Sequence, residues 1–284
     1  RMAVLSKDVG SRKACDYSGR CLWGCPTDSL YVPSLTLREC QEFPHFKYIP
    51  NRLVTHFKYT PKNSITSVLT RSPEDNKIFE YPVDNLVLAA GTLSSTKIYL
   101  ESLYQHTGQL VELPGLMDNR QILVPFINLK MVGKKFNPKT YQYHQLALGM
   151  EMEEPRDYVH GQITTLKTAL IQPVLQSMPL DWRTATFLGR NLHSALGVLN
   201  VNYSDTRRKE NTVTLQPQPD SLSTLKICYT PPKDEKEKIG LTIKKIKKFL
   251  SYLGAIVPPG QTHIRPMGAS VHYSGTLPMS TGSK

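Results

Sequence analysis

No uninterrupted apolar run among the 284 residues reaches the roughly 18 positions that a membrane-spanning helix requires, so no span is expected and the chain reads as soluble. Gly-x-Gly-x-x-Gly occurs nowhere, which removes the fingerprint of a complete dinucleotide-binding turn. Gly-x-Ser-x-Gly is missing as well, and without that elbow a serine hydrolase has no nucleophile. Cysteine is sparse and odd in number. Cys15, Cys21, Cys25, Cys40 and Cys228 cannot all pair, and their spacings do not build a four-ligand zinc site. The expectation is of thiols packed in a tight loop, with one disulfide at most. No two of the eight histidines show the i, i+4 spacing of a zinc protease, so no metal site is expected.

Acidic residues are the scarcer charge. Twenty-three Asp and Glu stand against 35 Lys and Arg, and the formal charge of +12 favours anionic partners. The densest group, Lys244, Lys245, Lys247 and Lys248, is interleaved with Ile243, Ile246, Phe249, Leu250 and Leu253, the pattern of a helix with a solvated basic face. No RNA-binding motif or recognition helix accompanies it, so nucleic acid is not an expected partner. The opening Arg1 to Asp8 lacks the apolar core of a signal peptide and leaves the compartment open, with the cytoplasm as the default.

With 39% hydrophobic and 20% charged residues the composition is globular, and the length permits one large or two smaller domains. Residues 15 to 34 form a Cys-, Gly-, Pro- and Ser-rich loop, followed by a short helix over Leu30 to Cys40. Lys47 to Phe57 reads as a strand. Ser64 to Arg71 and Ile78 to Pro82 form an antiparallel pair around the turn Ser72-Pro73-Glu74-Asp75-Asn76. Asn85 to Ala90 is a buried strand ended by Gly91, with Thr92, Ser94 and Ser95 capping the helix that follows. Beyond about residue 106 alternating runs predict sheet: Ile122 to Met131, Leu196 to Tyr203, Asn211 to Gln216 and Leu225 to Tyr229. Asp234 and Glu237 then suggest a capping box on a helix that stops at Gly254.

Three stretches carry the chemistry. Ser270-Val271-His272-Tyr273-Ser274-Gly275-Thr276 sets one imidazole among small, chain-bending residues, where Gly275 lets a ligand approach the backbone. Leu86 to Ser102 is a strand, glycine turn and helix of the sort that brings a helix N-terminus to a phosphate. The third is Gly24-Cys25-Pro26. Together, and in this order, they resemble the glucose-methanol-choline (GMC) flavoprotein oxidoreductases, over nearly the whole chain but with only these three blocks specific.

The resemblance implies an α/β (α+β) protein: an incomplete Rossmann-type FAD-binding domain over residues 1–105, an antiparallel-sheet substrate domain backed by helices over 106–257, and a catalytic-histidine segment, 258–284, returning to the FAD domain. It implies FAD as cofactor, with Val54, Ala90, Gly91, Thr92, Cys25 and Pro26 beside it. It makes His272 the general base of an oxidation in which an alcohol or sugar becomes a carbonyl and hydride passes to the flavin. The electron acceptor stays open among oxygen, a quinone and a carrier protein. The chain also departs from the family: the glycine loop that holds the FAD pyrophosphate is absent, and so is the family's segment after the histidine motif. What is present resembles the interior of such a protein, expected to bind FAD poorly alone. The competing reading is a basic, sheet-rich binding module for an anionic partner, with Lys244 to Lys248 as its contact face.

Overall fold

The computed structural model describes residues 4–21, 23–135, 137, 139, 146–151, 158–165, 176, 179–218 and 221–279. It contains both helices and antiparallel sheets, an α+β architecture, and every ladder among the described residues is antiparallel. The contacts divide the chain into two interleaved units. Unit 1 takes Arg1–Phe43, Arg120–Ser204 and Lys233–Ala269, and unit 2 takes Pro44–Asn119, Asp205–Pro232 and Ser270–Lys284. These boundaries run differently from 1–105, 106–257 and 258–284, because the opening 43 residues group with the large sheet of unit 1 and 205–232 group with 44–119.

In unit 2, β1 (Leu53–Tyr59), β2 (Ile65–Arg71) and β3 (Ile78–Pro82) form one small sheet, and α2 (Thr92–Thr107) packs on it. The other helix before it in the chain, α1 (Pro33–Gln41), belongs to unit 1 and starts at Pro33, where a missing N–H costs nothing. Phe57, Val68 and Ile98 make one core of unit 2. A second core, Leu100, Leu116, Val213 and Leu215, joins α2 to a sheet made of β4 (Glu112–Pro114), β10 (Thr212–Gln216) and β11 (Thr224–Cys228). The helix is therefore held on two sides by apolar contact, and Ile98 and Leu100 are its buried anchors.

The expected strand Asn85 to Ala90 joins no ladder. Leu86 and Leu88 do turn into the β1–β3 core, but Val87 between them is 84% exposed. Nor is α2 capped by a hydroxyl: Gly91 is its N-cap, at φ 83, and no side chain closes that end. Ser95 Oγ instead accepts from Ala90 N–H at 3.1 Å, and the Thr92 hydroxyl is engaged elsewhere.

In unit 1 the sheet order is β12 (Ala255–Ile256), β6 (Arg120–Asn128), β9 (Leu196–Tyr203), β8 (Val159–Thr165) and β7 (Leu146–Met150), with β13 (His263–Ile264) also on β6. Period-two alternation sends Ile122, Val124, Phe126, Leu199, Val201, Val159 and Ile163 to one face. There they meet Ile239, Ile246 and Leu250 of α4 (Glu235–Tyr252). Lys244, Lys245, Lys247 and Lys248 stand on the opposite, solvated side of that helix. The predicted capping box does not form, because the Asp234 carboxylate pairs with Lys238 at 3.0 Å rather than closing the helix end. Gly254, at φ 78, follows the C-cap as expected. One further helix, α3 (Trp182–Leu192), is capped by Asp181, whose Oδ1 accepts from Arg183 and Thr184 N–H.

Candidate functional site

A cavity of unit 2, about 900 Å³, opens between the start of β1, one flank of α2 and residues 217, 218 and 221–223. That size suits a cofactor or small ligand. Val54 and Ala90 both line it, although they come from separate sequence blocks. Leu53, Ile78 and Leu222 add apolar wall, while Arg52, Arg71 and Lys97 bring three cations against the single carboxylate of Glu101. Arg52 lies over the Phe79 ring, its guanidinium carbon 3.9 Å from the centroid, and its Nε is buried with no hydrogen-bond partner. The ring holds this guanidinium in place at the cavity wall. His56 also lines the cavity, and its Nδ1 lies 3.1 Å from Thr55 Oγ1. Burial holds this imidazole below its usual range, with Glu101 pulling the other way.

Gly91 sits at the turn between Ala90 and α2, where an added Cβ would meet nothing within 4 Å. Its surface is open. Thr92 Oγ1 donates to the Tyr273 carbonyl at 2.7 Å, and Thr96 Oγ1 lies 2.7 Å from Thr276 Oγ1. The helix after the glycine turn thus grips the histidine motif directly, which brings two of the three sequence blocks together.

The motif itself is pinned from several sides. β14 (Tyr273–Ser274) pairs with β5 (Met117–Asp118), and Asn119 N–H donates to the His272 carbonyl at 3.3 Å. Ser270, buried, donates to Asp118 Oδ1 at 2.6 Å and accepts from His272 N–H at 3.0 Å. Behind Asp118, Asp205 accepts from the Asp118 N–H at 3.0 Å and from Arg208 at 2.7 Å. Two β-branched residues flank the imidazole in the left-handed region, Val271 at φ 56 and Thr276 at φ 64. Such conformations are strained and persist where surrounding contacts over-determine them.

The His272 ring is exposed, is not among the residues lining the 900 Å³ cavity, and has no hydrogen-bond partner among the described residues. Gly275 serves a different purpose from the one its sequence context suggests. Its φ is +90, and a Cβ there would overlap the Gly115 carbonyl oxygen, so its lack of a side chain admits another backbone. Cys25 and Pro26 belong to a loop of unit 1, where Cys25 Sγ lies 3.2 Å from Ser29 Oγ and 3.5 Å from Thr27 Oγ1. All five cysteines are free thiols, and the one disulfide that the sequence left open does not form.

Pattern reading also passed over the second face of the unit 1 sheet. Cross-strand pairing there places Gln121 opposite Asn202, Asn202 opposite His160, and Asn200 opposite Gln162. Asn200 Oδ1 is buried with no hydrogen-bond partner. The polar alternation of β8 and β9 was visible in the sequence, but the register that gathers these amides on one surface was not.

Among the described residues no group of three His, Cys, Asp or Glu is placed to hold a metal ion. Among them, too, no helix is long and apolar enough to cross a membrane. No protein-family model matches the chain, and no curated protein matches its sequence.

Proposed function

We propose that this chain is part of an FAD-dependent oxidoreductase of the GMC type that oxidises a CH–OH donor to a carbonyl, with unit 2 contributing an incomplete Rossmann-type flavin domain and unit 1 the substrate domain. One observation carries the reading: Val54 and Ala90 wall a single cavity, and the helix beginning beside Ala90 holds the His272 segment through Thr92 and Thr96.

The cavity lining fits the nucleotide part of FAD. Apolar side chains of Leu53, Val54, Ile78 and Ala90 suit a flat heteroaromatic ring, and Arg52, Arg71 and Lys97 bring charge of the sign a phosphate requires. Gly91 leaves the backbone approachable beside them. When bound, the flavin supplies the acceptor for the hydride. The rest falls to the chain's own side chains. His272, with a free and exposed ring, takes the hydroxyl proton on a ring nitrogen as the carbon–hydrogen bond breaks. Asp118, acting through Ser270, fixes the loop that presents it.

The test is expression of the gene's whole reading frame. The purified protein should be yellow with flavin absorbance, Arg52→Ala should lower its flavin content, and His272→Gln should abolish alcohol-dependent dye reduction while the colour stays. A colourless protein with no FAD overturns the reading.

A further inference from the structure

Two stretches of sequence without a single Asp or Glu, 119–150 and 238–269, meet in unit 1. They join at the C-terminal end of α4. There Leu129 N–H donates to the Gly254 carbonyl at 3.0 Å, Ile256 pairs with Ile127, and the Lys130 stem lies where a Cβ on Gly254 would stand. Spacing of i, i+3 and i+4 puts Phe249, Tyr252 and Leu253 on one side of the helix end, and all three are exposed. Ile256, Leu129 and Val132 are exposed beside them. A lone apolar side chain at a surface needs no explanation, but six gathered from two chain segments form a patch. Lysines border it. Lys245 and Lys248 stand one turn before Phe249 and Tyr252, and Lys130, Lys134 and Lys135 flank Leu129 and Val132. All five are exposed, and none has an ion-pair partner among the described residues. The acidic groups at α4 sit at its other end, where Asp234 pairs with Lys238 and Glu235 with Arg120.

We propose that this end of unit 1 docks on the surface of an anionic phospholipid bilayer. The apolar side chains enter the boundary between headgroups and acyl chains, and the ring of unpaired ammonium groups meets the negative headgroups. Two features favour lipid over other anionic partners. Protein–protein interfaces are depleted in Lys and enriched in Arg, whereas all five cations here are Lys, whose long stems keep the charge among headgroups while their methylenes lie along apolar surface. A nucleic acid would use the charge but leave the six apolar side chains in water. An apolar cavity of about 310 Å³, walled by Phe126, Ile163, Leu250 and Leu253, opens at the same end, so that Leu253 belongs both to the patch and to a space whose walls suit a hydrocarbon chain. Docking of this kind needs no membrane-crossing helix. The proposal does not depend on the flavin reading, since no residue of the 900 Å³ cavity takes part.

Flotation of the unsubstituted chain with phosphatidylcholine vesicles, with and without about 30% phosphatidylserine, tests this directly. The chain should float with the mixed vesicles only, and should be released when NaCl is raised from about 0.1 M to about 1 M. Lys245→Gln combined with Lys248→Gln should lower partitioning about 25-fold, about fivefold for each cation removed. Leu129→Ser combined with Tyr252→Ser, both at exposed positions, should lower it about tenfold with the far-ultraviolet circular dichroism unchanged. Equal flotation with both kinds of vesicle would overturn the proposal, and so would parental binding by either folded double variant. Failure to float with either vesicle would overturn it too, whether or not the chain then binds a single-stranded oligonucleotide.

Discussion

Thr96 Oγ1 lies 2.7 Å from Thr276 Oγ1, in a buried contact between residues 180 positions apart. Thr96 can also donate to the Thr92 carbonyl at 2.7 Å, and Thr276 to the Gly275 carbonyl at 2.6 Å. Each hydroxyl has a single hydrogen, so one of the two donates across the gap and the other satisfies a backbone acceptor. Replacing either by Val removes the bond across the gap, while the remaining hydroxyl still donates to its own backbone carbonyl. Thr96→Val and Thr276→Val are each expected to cost about 0.5–1.5 kcal/mol in urea unfolding, and the double variant should cost less than the sum. Additive costs would show that the two hydroxyls do not depend on one another.

Gly275 and Gly260 separate two effects that glycine substitutions usually mix. Both have positive φ, +90 and +72, but only at Gly275 would a Cβ strike backbone, at the Gly115 carbonyl, whereas at Gly260 nothing lies within 4 Å. Gly260→Ala should lose about 1 kcal/mol from backbone conformation alone. Gly275→Ala should lose more than about 3 kcal/mol, because neither backbone can yield without breaking its ladder. Equal losses in thermal unfolding would remove the close approach from the account of why this position is glycine.

Val271 holds φ 56 while its side chain is 74% exposed, so little burial offsets the strain. Val271→Asn, which tolerates that conformation, is expected to stabilise the chain by about 1 kcal/mol. Under the proposed oxidoreductase reading, in which this loop presents His272, the same change should also reduce alcohol-dependent dye reduction by the full-length protein. A variant that is less stable than the parent would show that Val271 is not under strain.

His56 gives the cavity a pH signature. Burial keeps its folded-state imidazole below 6.5, its usual value, which the unfolded chain retains. Above that value the ring is neutral in both states and contributes nothing to pH dependence. As the pH falls through 6.5, the unfolded chain takes up a proton that the folded chain refuses, so stability declines. In His56→Gln the urea midpoint should fall less steeply than in the parent between about pH 6.5 and 5. Parallel declines would mean that His56 titrates normally.

Strands with clean alternation were legible from sequence almost to the residue. Leu196 to Tyr203 is a strand at both predicted ends, and Ser64 to Arg71 and Ile78 to Pro82 pair around Asn76 as expected. Asn85 to Ala90 misled because a continuous apolar run signals a strand buried on both faces, and composition cannot report whether a neighbour exists to complete the ladder. At Asp234 the cap lost to a competitor: the carboxylate had a lysine four residues on, and took the ion pair. Val54 and Ala90 entered the reading through the motif resemblance and do share a cavity. Arg52, Arg71, Lys97 and Glu101 left no local signal, since they acquire meaning only when β1, β2 and α2 pack together. The role of Gly275 was hidden for the same reason, its partner Gly115 lying far away in the chain.

Unit 2 is assembled from three separated stretches, and its last stretch supplies β14 and the Thr276 hydroxyl. A ribosome making this protein releases Pro44–Asn119 long before Ser270 exists. The helix α2 must therefore wait in the cell without the 270–276 segment that Thr92 and Thr96 hold, while more than half of the chain is translated. That interval is when chaperone holding and proteolytic loss compete, so in vivo yield should respond more to changes in residues 270–279 than their small number suggests.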